Sequence, residues 1–299
     1  MTESMPRRGI VQTRLGGVHY VASGKLSSGL TPILAFHMSP RSVDEYTEVM
    51  PMLSADGRLV IAIDEMGYGC SDNPNQSCTL DDIAEGALIV ANELGVDQFI
   101  VCGSLMGNFF ALSLSSRYAD RVKAAVLTNC YHFPDAKVQE ARVKNEEKTK
   151  LVDKQDDSMV RAIPDDWQLK DDGSHLTEIF NARKTWLDAH MNTRVTRDDL
   201  VYKLKRRERY AAGVNIQDGP LFDFEKAARA TACPVLCVQG KEATAFFDMI
   251  GFEMSNQFEK AKSYLSKMTF AEVDGHINCV NTHAEAWYAE VSAFLAKHA

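Results

Sequence analysis

The sequence predicts an α/β fold, a mostly parallel sheet covered by helices on both faces and interrupted by a helical insertion. Three observations carry this reading. Residues 32–36, 59–63, 99–102 and 122–127 are short, almost wholly apolar runs, the pattern of strands buried on both faces. They alternate with segments of helical spacing, as strands in a parallel sheet must. The alternation stops between residues 131 and 230, which are polar and charged, and resumes at 234–238.

The elements follow in order. Residues 10–23 read as a β-hairpin turning at Gly16-Gly17. Residues 43–53 carry helical spacing through Val43, Tyr46, Val49, Met50 and Leu53. Residues 80–94 form an amphipathic helix with Thr79 as N-cap and Gly95 at its end. A small-residue turn and an apolar helix over 109–118 follow the third strand run. In the insertion, 176–187 and 198–212 are helical. The chain closes with a helical segment over 246–264, a strand over 268–273 and a helix over 282–297. The expected organisation is one domain: a core of residues 1–130 and 231–299, with 131–230 inserted as a helical cap.

Composition narrows the function classes. Of 299 residues 45% are hydrophobic and 25% charged, an ordinary globular balance. The net charge of −8 argues against nucleic acid or an anionic membrane as partner. No apolar run reaches the roughly 18 residues of a membrane span, and the N-terminal residues lack a secretory core. The seven cysteines are odd in number with no C-x-x-C pair, so free, buried thiols in the cytoplasm are expected. The basic run Lys203-Leu204-Lys205-Arg206-Arg207 reads as a solvated helix face with Glu208 as a neighbouring partner. There is no phosphate loop, Gly67-Tyr68-Gly69 lacks a third glycine, and Cys233 with Cys237 supplies too few ligands for zinc. Neither a cofactor nor a metal is expected.

Four motifs carry chemistry. His37-Met38-Ser39-Pro40 follows the first buried run, and residues 64–74, which begin Asp64-Glu65-Met66-Gly67, follow the second. Cys102-Gly103-Ser104-Leu105-Met106-Gly107-Asn108 joins a strand to an apolar helix, and Asp274-Gly275-His276 lies between the last strand and the last helix. In this order they resemble the α/β-hydrolase superfamily, nearest to its helical-cap branch of epoxide hydrolases, haloalkane dehalogenases and cofactor-free esterases. The resemblance spans about residues 10–297 and implies an eight-stranded sheet.

The family's nucleophile sits on a sharp strand-to-helix turn, G-x-S-x-G or its aspartate form, with strained backbone at the apex. Gly103 and Gly107 match the small positions, but the apex is Leu105. The expectation is an elbow without its nucleophile, at a strain of roughly 1–3 kcal/mol. Ser104 precedes the apex and should point away from the pocket mouth. The resemblance implies His276 as acid or base and the backbone N–H groups of Ser39 and Met106 as oxyanion donors, with His37 and Met38 supporting that loop. The usual acid position holds Ala243, beside Glu242 as a possible substitute, and the alternative acid position holds Asn129 and Cys130. Asn108 is expected to cap the helix.

The expected function is action on a small, mostly apolar molecule between core and cap by His-assisted acid/base chemistry without an acyl-enzyme. Elimination, isomerisation, cyclisation and water-mediated hydrolysis fit that description. One alternative is a non-catalytic small-molecule receptor or scaffold. Another is a hydrolase whose nucleophile has moved to Ser39 or Ser104. Trp167, Phe180, Trp186 and Tyr210 are candidates to line the pocket.

Overall fold

The computed structural model describes residues 7–152, 169–249 and 251–298. Strands β1 (Arg7–Thr13) and β2 (Gly16–Ser23) form an antiparallel hairpin. The others are β3 (Ile33–Phe36), β4 (Val60–Ile63), β5 (Phe99–Ser104), β6 (Val122–Thr128), β7 (Val235–Gly240) and β8 (Met268–Val273). All eight lie in one sheet in the order β1-β2-β4-β3-β5-β6-β7-β8. From β4 onward the pairing is parallel, and β2 joins β4 antiparallel.

Period-two alternation sends each central strand's side chains to two separate apolar layers. Leu34, Phe36, Ile61 and Val101 face one layer. It is covered by α2 (Leu80–Glu93), α3 (Gly107–Arg117), α7 (Phe224–Ala230) and α9 (Met254–Tyr264). Ile33, Ala35, Val60 and Ile100 face the other, under α1 (Met50–Leu53) and α11 (Ala284–His298). Trp287 of α11 is fully buried there, and its Nε1 donates to Thr128 Oγ1 at 2.9 Å. Between β6 and β7 stand α4 (Asp135–Val152), α5 (Ser174–Asn181) and α6 (Ala189–Ala211), then α7. Two more helices, α8 (Lys241–Met249) and α10 (Cys279–Thr282), follow β7 and β8. No helix among the described residues is long and apolar enough to cross a membrane.

Thr79 caps α2 as its sequence predicts, in a reciprocal box with Asp82. Other boundaries differ for local reasons. The hairpin turns at Arg14-Leu15, because Gly17 is held in β2 by its N–H bond to Asp72 Oδ2 at 2.7 Å. Residues 43–53 are a 3₁₀ turn and the short α1, since Pro51 has no N–H to carry one helix through. α3 starts at Gly107, two residues before the expected position. The segment 246–264 divides into α8 and α9, separated by Gly251 and Glu253 at positive φ. The final helix breaks at His283. In the insertion, α5 ends at Asn181, and α6 starts at Ala189, capped by Asp188, whose side chain accepts from Met191 N at 2.8 Å. The first turns of α6 carry only Met191 and Val195 as a buried apolar pair among polar neighbours, too short a stripe to mark the start.

The turn from β5 to α3 is the tightest point. A Cβ on Gly107 would lie 2.1 Å from the Phe36 carbonyl oxygen, a backbone atom that cannot swing aside. Gly107→Ala is therefore expected to cost at least about 3 kcal/mol of unfolding free energy in urea titration. A loss under about 1 kcal/mol would show that this turn is looser than described.

Candidate functional site

The elbow is built by close approach. A Cβ on Gly103 would meet the Gly107 carbonyl oxygen at 2.5 Å, so the chain doubles back only because both positions lack side chains. Leu105 takes the apex at φ +46, the strained geometry expected, and its N–H donates to Thr128 O at 3.0 Å. Its side chain is buried. Asn108 does not cap α3. It is buried, and its Nδ2 donates to Thr128 O at 2.9 Å, tying the helix start to β6. Ser104 is fully buried below the turn beside the Glu45 carboxylate.

The loop after β3 is held by buried charge. His37 Nδ1 donates to Met38 O at 2.9 Å, and Met38 N donates to Glu45 Oε2 at 2.6 Å. Burial raises the Glu45 carboxyl above its ordinary value, against the pull of Arg41, the Met38 N–H and Ser104. The fully buried Arg41 pairs with Asp198 of α6 at 3.0 Å and donates to Asn281 Oδ1 at 3.1 Å. Arg194 of α6 grips Asp44 at 2.7 Å and also Glu48. His37 Nε2 meets the Glu65 carboxylate. Burial opposes charge on His37, but Glu65 and Asp64 overcome it and raise the imidazole to about 9.

His19, Asp64 and Cys70 bring three ligand atoms together among the described residues. Asp64 is already engaged: Oδ1 accepts from Val43 N at 2.7 Å, and Oδ2 accepts from Cys70 N at 2.8 Å and meets His19 Nδ1 at 2.8 Å. This arrangement serves the loop and leaves little for an ion. All seven cysteines are free, though Cys70 is exposed and Cys233 half-buried, so burial is not uniform as expected.

A cavity of about 590 Å³ opens where the β3 loop and elbow face the insertion. Ser39 and Met106, the expected oxyanion donors, both line it. Tyr68 stands between the Ser39 hydroxyl, to which it donates at 3.1 Å, and the ring of Tyr202, stacked at 4.7 Å. Of the aromatic candidates, Tyr210 lines this space, Phe180 is half-buried in α5, and Trp167 falls outside the described residues. Trp186 lies against His276.

His276 is half-buried, stacked on Trp186 at a centroid distance of 4.5 Å and touching Phe246 at 4.7 Å. It is not among the cavity's described lining residues. Its Nδ1 is buried with no hydrogen-bond partner among the described residues. Burial lowers its pKa, opposed by Glu242. Glu242 Oε2 accepts from Gly275 N at 2.6 Å, so that carboxylate braces the loop of His276 rather than bonding the ring. Ala243 is buried at the start of α8. Asn129, at φ +49, accepts from Gly240 N at 2.9 Å and donates to Ile277 O at 3.3 Å, stitching β6 to the loops after β7 and β8. No described hydrogen bond joins Ser39 or Ser104 to His276.

The basic run is not a solvated face. Lys203 is buried while Leu204 is exposed, Lys205 donates to Ser71 O at 2.6 Å, and Arg206 lines the cavity. Tyr68, Tyr202 and Arg209 were not among the expected site residues. Tyr68 lies in the 64–74 motif, whereas for Tyr202 and Arg209 the charge density along α6 is the only sequence signal, and a surface helix carries the same one.

The sequence profile described as alpha/beta hydrolase fold matches residues 31–227. Haloalkane dehalogenase 2 of Mycobacterium tuberculosis is 30% identical over 120 residues, 40% of each chain. A putative non-heme haloperoxidase of Mycobacterium phage D29 is 30% identical over 111 residues, 37% of this chain and 38% of that one. The match thus spans well under half the length of these relatives. The enol-lactonase of Burkholderia xenovorans LB400 superposes with a TM-score of 0.67 at 17% identity, covering 96% of this chain and 100% of that one.

The His37–Glu65 pair has a pH signature. Its His37 contribution is complete below the unfolded value of 6.5 and is lost as pH rises through about 9. Glu65, pushed by burial to about 7 against the pull of His37, acts in the same direction at lower pH. Between pH 6.5 and 9 the wild type should lose unfolding free energy that the double variant His37→Asn/Glu65→Gln, which removes both titrating groups, does not lose. Equal losses in urea titrations at the two pH values would remove this pair as the cause.

Proposed function

The chain belongs to the α/β-hydrolase fold family, and on that premise we propose that it is an enzyme on small molecules that works without an elbow nucleophile. The observation that carries this reading is Leu105 at the positive-φ apex, with Ser39 and Met106 beside it in the cavity wall. An isobutyl group can neither attack nor be acylated. The backbone N–H groups of Ser39 and Met106 remain suited to a developing oxyanion, a contribution on the order of 3 kcal/mol per donor.

His276 supplies the proton transfer. Burial lowers its pKa, so the ring is neutral near pH 7 and free to act as a base. Without a carboxylate on Nδ1 its tautomer is not fixed, which suits one proton transfer better than a serine relay. Proton abstraction next to a carbonyl is the common step, and it leads to elimination, isomerisation or cyclisation. Water activated by His276 would give hydrolysis.

A second reading, a receptor without turnover, draws on the Trp186 and Phe246 rings that cover His276. Turnover of carbonyl substrates with an acidic α-hydrogen separates the two. His276→Ala should lower kcat at least about 100-fold while ligand-induced thermal stabilisation persists, whereas unchanged kcat would sink the catalytic role. A fluorophosphonate probe should label no serine of the cavity, and labelling of Ser39 or Ser104 would overturn both readings in favour of a relocated nucleophile.

A further inference from the structure

Among the described residues, the cavity holds a buried cation without a counter-charge. Arg209 of α6 is only 5% exposed, lines the cavity, and keeps Nε and Nη1 without hydrogen-bond partners. Its guanidinium stacks over Tyr202 at 5.5 Å and Tyr210 at 5.7 Å. Two lysines of the same cavity are matched: Lys148 pairs with Asp218 at 2.6 Å and Lys144 with Glu140 at 2.7 Å. No carboxylate lies within ion-pair distance of Arg209 among the described residues. Leaving a buried charge uncompensated costs several kcal/mol, so retaining one calls for a partner that arrives with the ligand.

The neighbouring hydroxyl reports the same field. Burial pushes Tyr202 up, yet Arg206 and Arg209 pull it below its ordinary value. This end of the cavity therefore favours negative charge. The remaining wall is apolar, formed in part by Met106, Phe133, Ile216 and Phe252.

We propose that the cavity takes an organic carboxylate, its anionic group seated on Arg209 and its apolar body along Met106, Phe133, Ile216 and Phe252. This deepens the function proposed above and rests on its premise that this cavity holds the ligand. A planar carboxylate matches the guanidinium of Arg209, whereas the second charge of a phosphate dianion is opposed by Glu140, Glu147 and Asp218 in the same wall. The body then points toward Ser39 and Met106 at the elbow end.

Binding of octanoate, octanamide, 1-octanol and octyl phosphate to the whole protein tests this by titration calorimetry. Octanoate should bind at least about tenfold more tightly than octanamide or octanol, and more tightly than octyl phosphate. Arg209→Met, checked for an intact melting transition, should abolish the preference for octanoate over octanamide, and Arg209→Lys should keep part of it. Equal affinity of octanoate and octanamide in the wild type overturns the proposal whether or not any variant folds. So does tighter octyl phosphate, or a preference that survives Arg209→Met. Absence of octanoate binding at millimolar concentration overturns it as well. Because binding is the readout, His276→Ala can fail as a catalytic test while the carboxylate preference stands, and the reverse.

Discussion

Everything at the candidate site depends on one steric constraint, the contact of two backbone segments at the end of β5. Gly107 sits against the Phe36 carbonyl and Gly103 against Gly107, with no room for a Cβ at either position. That contact brings α3 back across the sheet and forces the residue between the glycines into positive φ. It also sets the β3 loop beside the helix start, so that Ser39 and Met106 share a cavity wall. The approach of the β3 loop to the start of α3 thus persists independently of the apex side chain. A leucine there bears the strain without supplying chemistry, and the strain is offset by the buried contacts of its own side chain.

The second determinant is buried charge. The loop from His37 to Glu48 carries carboxylates at Asp44, Glu45 and Glu48, and α6 answers with Arg194 while offering Asp198 to Arg41. Asn281 of α10 closes the set by donating to Glu45 O at 2.8 Å. Arg41–Asp198 is fully buried and adds little net stability, but losing one partner is costly, so with the half-buried Arg194 pairs it acts chiefly as a register pin. They fix where α6 crosses the sheet. Tyr202 and Arg209, further along the same helix, are thereby placed over Tyr68 and the cavity. The insertion is joined to the core through ion pairs as well as through apolar contact.

The polar groups divide into two neighbouring centres. Ser39, Tyr68, Tyr202 and Arg209 gather around the cavity, whereas His276 stands against Trp186 and Phe246. In a serine relay these centres would be joined by a nucleophile between histidine and oxyanion donors. Leu105 supplies no such nucleophile, and the proposed chemistry divides accordingly, with binding and polarisation at the cavity and proton transfer at His276.

The sheet, its two apolar layers and the elbow were legible in the sequence because each depends on local pattern. Apolar runs such as 99–102 and 122–127 have no stable place except a doubly covered strand, and Gly103 and Gly107 declare a turn by their lack of side chains. His37, Ser39, Leu105 and Met106 were legible for the same reason, lying within a few residues of a strand end. Arg209 and Tyr202 were not. On α6 they look like any charged, amphipathic surface, and only the crossing of that helix, set by Arg41–Asp198 and Arg194–Asp44, turns Lys203 inward and Leu204 outward. Glu242 was legible as a carboxylate near His276, but not as the acceptor for Gly275 N. The sequence by itself determined the fold, the elbow and the apex residue, because backbone sterics and strand burial act over a few neighbouring positions. Tertiary structure alone decided which cation lacks a counter-charge and which face of His276 is covered, because those depend on groups brought together from distant parts of the chain.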